Sequence, residues 1–95
     1  MGSLGPMKEA MDKAKKKLDT ITVKGEDEGG MVSVYMNGNR KVKEIKINQK
    51  LIDDGDKEAI EELMQLAINK ALEHAESVNE MEMASAARGM MPGMF

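Results

Sequence analysis

Two groups of basic residues in this 95-residue chain have the spacing of a surface that could neutralise phosphates. Lys13, Lys16 and Lys17 lie close together on a stretch of helical periodicity, and Arg40, Lys41, Lys43 and Lys46 follow a turn and run into a strand-like segment. Cations at this density attract a polyanion, whose condensed counterions they displace. Plainer readings stand beside this one. Lysines on a helix are commonly a solvated face, and lysines on an edge strand block unwanted sheet pairing.

Nothing comparable supports catalysis. At four-residue spacing the single histidine, His74, has Lys70 and Val78 as helix neighbours, so no second ligand or orienting carboxylate shares its face. It reads as structural or solvated. Asp53, Asp54 and Asp56 lack the ligand pattern of an EF-hand loop and read as turn and cap residues. No glycine-rich phosphate loop of the Walker or dinucleotide type occurs. We expect no enzyme, no metal and no cofactor. Without cysteine, neither disulfides nor thiolate sites are available, which is compatible with a reducing cytoplasm. Charge interrupts every apolar run well short of the roughly 20 residues that cross a bilayer, so no membrane partner is expected.

The net charge of -3 argues by itself against a nucleic-acid partner, but the charges are segregated. Residues 1 to 24 hold six lysines against Glu9, Asp12 and Asp19, a net +3; residues 31 to 50 carry a net +4; residues 51 to 83 carry a net -8. Screening over about 8 Å at physiological salt makes the local patch matter more than the total.

The elements that must carry these residues follow from periodicity. Met7, Met11, Ala14 and Leu18 recur at spacings of four and three, which predicts a helix over roughly Met7 to Asp19 with the lysines outward. The β-branched run Ile21-Thr22-Val23 ends it and opens a strand. Gly25 to Gly30 reads as the first hairpin connection, with Glu26, Asp27 and Glu28 at its tip, and Asn37-Gly38-Asn39 as the second. Between them Val32, Val34 and Met36 face one side while Ser33 and Tyr35 face the other. Val42 lies three residues before Ile45, breaking the period of two, so a bulge near Lys43 is expected. A long helix should start at the cap residue Asp56 with Glu58 in its first turn. Ile60, Leu63, Met64, Ala67, Ile68, Ala71, Ala75 and Val78 form its apolar stripe. At about 28 residues and 1.5 Å each, this helix outruns a small sheet, so its far end packs on a partner or projects into solvent.

The fold expected is α+β: an N-terminal helix, a three-stranded antiparallel meander and a long C-terminal helix. Met1-Gly2-Ser3-Leu4-Gly5-Pro6 reads as an expression leader, residues 7–83 as one domain and residues 84–95 as a flexible Met- and Gly-rich tail. The tail methionines Met90, Met91 and Met94, with Met81 and Met83 before them, could dock on a protein partner. So short a chain gains from pairing with a second copy.

The order of these pieces resembles the YbaB/EbfC family of small bacterial nucleoid-associated proteins. The resemblance rests on the glycine-punctuated strands Val23 to Gly38, then Ile45-Lys46-Ile47-Asn48, Leu51-Ile52-Asp53-Asp54, Glu61-Glu62-Leu63, Ala67-Ile68-Asn69-Lys70-Ala71, Met83-Ala84-Ser85 and Gly89-Met90-Met91-Pro92-Gly93. Family members carry a longer N-terminal helix than one beginning at Met7. The resemblance implies a cytoplasmic, nucleoid-located homodimer that binds double-stranded DNA. The DNA contacts then fall to Lys13, Lys16, Lys17, Arg40, Lys41, Lys43 and Lys46, and the dimer interface to Ile60, Leu63, Met64, Ala67, Ile68 and Ala71. With arginine scarce, base readout should be weak.

Overall fold

The computed structural model describes residues 4–89 as α1 (Leu4–Thr20), β1 (Thr22–Glu26), β2 (Val32–Asn37), β3 (Val42–Ile47), α2 (Gln49–Asp53) and α3 (Lys57–Gly89). The strands form one antiparallel sheet in the order β1-β2-β3. The α+β architecture is therefore the one the sequence predicts, with three additions at its edges.

First, α1 begins before Met7, because Pro6 falls in its first turn, where a missing N–H costs nothing. Second, a short helix, α2, follows β3. Asn48 caps it by accepting from the Lys50 backbone N–H at 2.9 Å, and Leu51 drops into the core. Third, α3 runs through Gly89, so residues 84–89 are helical rather than a tail. Ala84, Ser85, Ala86 and Ala87 contain no helix breaker, and small residues without a period of their own still extend a helix already nucleated. Residues 1–3 of the leader and 90–95 of the tail lie outside the described residues.

The predicted cap holds, since Asp56 Oδ1 accepts from Ala59 N at 3.0 Å. The bulge also lies where the spacing places it. Tyr35 pairs with Glu44 but Met36 pairs with Val42, so Lys43 is the extra residue. Its consequence is that Val42, Ile45 and Ile47 all share the helix side of the sheet with Met36, Val34 and Val32.

The first hairpin differs from expectation. Gly25 belongs to β1, not to the turn, and faces α3 so closely that a methyl group there would overlap the Ala71 backbone nitrogen and the Ala67 carbonyl oxygen. Asp27, expected at an exposed acidic tip, is only 4% exposed. Its carboxylate accepts from Val32 N at 2.7 Å and Gly29 N at 3.0 Å, closing the loop in which Gly30 takes φ 69°. Burial pushes this carboxyl up, but the N–H groups of Val32, Met31 and Gly29 outweigh it and hold it below its ordinary value.

Ala67, Ala71 and Ala75 recur every four residues on α3 and lie fully buried against Val32, Val34 and Met36. The helix covers β1 and β2, while on β3 Val42 and Ile45 remain 50% and 41% exposed. His74 hooks over the opposite edge. Because a carbonyl only accepts, Nδ1 of His74 donates to Lys24 O at 2.7 Å and caps the free edge of β1. Beyond the sheet the far half of α3 does not project alone. It packs on α1 of the same chain, with Ala10 and Ala14 beside Ser85, Ala86 and Gly89, and Lys17 paired to Glu82 at 3.1 Å. Packing on α1 fades outward, from fully buried Leu18 to Met7, 52% exposed. The molecule is accordingly elongated, 60 × 22 × 17 Å.

Gly25→Ala should destabilise the fold by about 3 kcal/mol or more, since overpacking against rigid backbone cannot be relieved by a side-chain rotation; chemical denaturation measures this. Asp27→Asn should cost on the order of 1–3 kcal/mol at neutral pH, as expected for hydrogen bonds to a charged group. The folded carboxyl titrates below its unfolded value of about 3.9, so its contribution is present above that pH and is lost as pH falls through the folded value. The stability gap between wild type and this variant should therefore close in acid, as followed by urea unfolding at a series of pH values.

Candidate nucleic-acid interface

The last turns of α1 and the β2–β3 hairpin are joined by a polar rivet. Asn39 Nδ2 donates to Lys15 O at 2.8 Å and to Asp19 Oδ1 at 2.6 Å, and Asn37 Nδ2 reaches the same carboxylate oxygen at 3.4 Å. Gly38 N lies 2.9 Å from Leu18 O and 3.1 Å from Ile21 O, while Asn79 of α3 donates to Gly38 O at 3.1 Å. A side chain at Gly38 would overlap Leu18. Within the turn, Asn37 Oδ1 accepts from the backbone of Asn39 at 2.9 Å and Lys41 at 3.1 Å. Three elements thus meet at one hairpin tip, and Arg40 sits on it with φ 66°, the left-handed region.

This rivet brings the last turns of α1, which carry Lys15, beside the hairpin that carries Arg40, Lys41 and Lys43. Lys15 on α1 and Arg40, Lys41 and Lys43 on the hairpin are all exposed. Lys15 escaped the sequence reading, because what distinguishes it is a carbonyl bonded to a residue 24 positions away. Its only local signal is the seven-residue spacing from Lys8 and the four-residue spacing to Asp19, which place all three on one side of α1. Lys13 and Lys17 instead flank the groove that α1 shares with α3, where Glu82 partly neutralises Lys17. Lys16 is exposed and makes no ion pair among the described residues.

Lys46 belongs elsewhere again, on the order of 15 Å along β3 from Lys41 at about 3.3 Å per residue. It lies on the outer sheet face, 5.6 Å from the Tyr35 ring centre, with Lys24 on the other side at 5.8 Å. Glu44 pairs with Lys46 at 3.7 Å and Glu26 with Lys24 at 3.4 Å. The hydrogen bond and charge of Glu26 raise the Lys24 ammonium above its ordinary value. Each positive charge on this face is therefore matched by a negative one, whereas the hairpin tip has a surplus.

The residues read as a dimer interface divide in two. Ala67 and Ala71 are fully buried against the chain's own sheet and cannot touch a second copy. Ile60, Leu63, Met64 and Ile68 are half-buried and pack around the core margin. The stripe correctly marked an apolar face, but its centre is satisfied within one chain. Of the methionines expected to dock on a partner, Met81 is exposed and Met83 half-buried on α3.

Residues 1–90 match the model of the YbaB/EbfC DNA-binding family. The chain belongs to that family. YbaB/EbfC relatives include a nucleoid-associated protein of Flavobacterium johnsoniae, 38% identical over 99% of this chain and 90% of its own length. Another is a nucleoid-associated protein of Caldanaerobacter subterraneus subsp. tengcongensis, 38% identical over 94% of this chain and 81% of that protein. The crystal structure of an uncharacterized protein from Helicobacter pylori superposes with a TM-score of 0.70 at 28% identity, covering 85% of this chain and 93% of that one. In this YbaB/EbfC chain, no helix among the described residues is long and apolar enough to cross a membrane.

Proposed function

We propose that the protein is a nucleoid-associated protein that binds duplex DNA as a homodimer, gripping phosphates through the junction of α1 with the β2–β3 hairpin. The observation that carries this reading is the Asn39 rivet, because it holds the backbones that carry two sets of cations in a fixed relation that neither element provides alone. A backbone already fixed loses little entropy on binding, which is where preorganisation gains affinity. Lys15, Arg40, Lys41 and Lys43 supply the main contacts, with Lys13 and Lys16 further out on α1; Lys17 and Lys46, already paired with carboxylates, contribute less. Asn37 and Asn39 spend their amides on α1 and the turn backbone, so phosphate contact dominates over base reading.

A second copy is the natural cover for β3. Val42 and Ile45 are half-exposed on a face whose remaining residues are core. Burying each gains about 1 kcal/mol, half the value for a fully exposed side chain. Two per copy fall short of the cost of association. Met64 and Ile68, which line a shallow groove with Glu61, Gln65 and Asn69, must be covered as well. A two-fold axis through this region would present two basic junctions to one duplex.

Fluorescence anisotropy with a duplex should show affinity falling with salt at a log-log slope of about -0.9 per phosphate neutralised, and Lys41→Ala should lower that slope by about one contact. Asn39→Ala removes no charge yet should weaken binding while circular dichroism reports an intact fold; unchanged affinity would sink the junction model. For the dimer, Ile45→Asp should convert a two-copy species to a single copy in sedimentation, and a single-copy wild type would remove the second half of the proposal.

A further inference from the structure

Arg40 is the only non-glycine residue with positive φ among the described residues, and it occupies the outermost corner of the riveted hairpin. Glycine is the residue that adopts this conformation freely, so the side chain is present against the local backbone preference. Its guanidinium makes no ion pair or hydrogen bond among the described residues, although carboxylates elsewhere on the surface pair with Lys17, Lys24, Lys46 and Lys57. The turn beneath it is held by hydrogen bonds of Asn37, Asn39 and Gly38, which tie the corner to α1.

We propose that Arg40 reads groove width: its guanidinium enters the narrow minor groove of A/T-rich duplex, adding a shape preference to the phosphate contacts. This rests on the reading of the protein as a duplex binder. Narrow minor grooves concentrate negative potential and draw in arginine, whose guanidinium is more weakly hydrated than an ammonium. Major-groove reading is disfavoured by what else the corner offers. Base patterns there are told apart by paired donors and acceptors presented by a helix or ribbon. At this corner the two asparagine side chains that could pair with adenine are already committed to the Lys15 carbonyl, Asp19 and the turn backbone. One cation on a narrow tip senses width and potential, not a donor pattern. Lys41 and Lys43 beside it, and Lys15 across the rivet, are placed to meet the phosphates that line such a groove.

The test uses the full chain and three duplexes of equal length: an A-tract, a G·C sequence, and the same G·C sequence with inosine replacing guanine. Inosine removes the minor-groove amino group and leaves the major-groove edge unchanged. Wild type should prefer the A-tract over G·C by on the order of tenfold, the discrimination of one good arginine contact, and should bind the inosine duplex like the A-tract. Arg40→Gly fits the left-handed turn without strain, so it should fold at least as stably while the ratio falls to near one. Lys41→Ala should weaken all three duplexes equally and keep the ratio. The proposal is overturned by a wild-type ratio near one, by a ratio that survives Arg40→Gly, or by inosine behaving like guanine. Failure to bind any duplex in a salt-dependent way overturns the duplex-binding reading and this proposal with it, and is told apart by absolute affinity.

Discussion

Contact between Gly25 and the backbone of α3 at Ala67 and Ala71 is the constraint from which the rest of the structure follows. A helix ordinarily stands off a sheet by the depth of the side chains between them. Here the strand contributes no side chain and the helix contributes alanines, so the two backbones touch. Dispersion grows with such proximity, and no rotamer entropy is lost by glycine or alanine in gaining it. The contact also fixes direction. With three alanines spaced every four residues bearing on one strand pair, α3 has a single seating in which all are buried. A helix of 33 residues seated at its middle necessarily overshoots the sheet.

Two consequences follow from that overshoot. The distal half of α3 needs cover, and α1 provides it through Ala10, Ala14 and Leu18. That places the last turn of α1 within reach of the second hairpin, where Leu18 and Ile21 carbonyls meet Gly38 and the Asp19 carboxylate meets Asn39. The basic junction is thus a by-product of helix seating, assembled from residues that have no short-range reason to meet. The second consequence lies on the other flank. A helix centred over β1 and β2 leaves β3 bare, and the bulge at Lys43 ensures that Val42 joins Ile45 on the bare side instead of turning outward.

Local features were legible in the sequence wherever the cause is local. The alternation of Val32, Val34 and Met36, the cap at Asp56 and the broken period at Val42 each depend on residues within a few positions, and each is found where the pattern put it. Features that depend on distant partners were not. Gly25 has the look of a turn glycine, and only the presence of Ala71 opposite it reveals a packing role. Asp27 lies in a run of three acids that reads as a solvated tip, yet the loop folds around it because nearby backbone N–H groups lack other acceptors. An apolar stripe likewise reports that a helix has something to bury, without saying whether its own sheet or another molecule will cover it. For Ala67 and Ala71 the answer is the sheet. Of the basic residues, Lys15 was hidden because a lysine's role is set by what its backbone is tied to, which composition does not record.

Net acidity is the remaining tension in a member of a DNA-binding family, and the architecture resolves it by distance. The acidic surplus of residues 51 to 83 lies mostly on α3, where Glu58, Glu61, Glu62, Glu73, Glu76 and Glu80 are exposed. Where an acid does approach a cation, as Glu82 approaches Lys17 or Glu44 approaches Lys46, the pair is at the surface and each partner neutralises the other locally. At the hairpin corner Asp19 is the nearby carboxylate, and its oxygen is engaged by two asparagine amides rather than by a lysine. The rivet therefore serves twice: it sets α1 against the hairpin and it engages the Asp19 carboxylate with amides. Beyond about 8 Å of screened solution the rest of the molecule's charge is weakly felt. In the proposed binding mode a phosphate at the junction would meet a positive surface, while the acidic helix would repel a polyanion approaching from the other side, so the same segregation that gives the chain its negative total would also orient it.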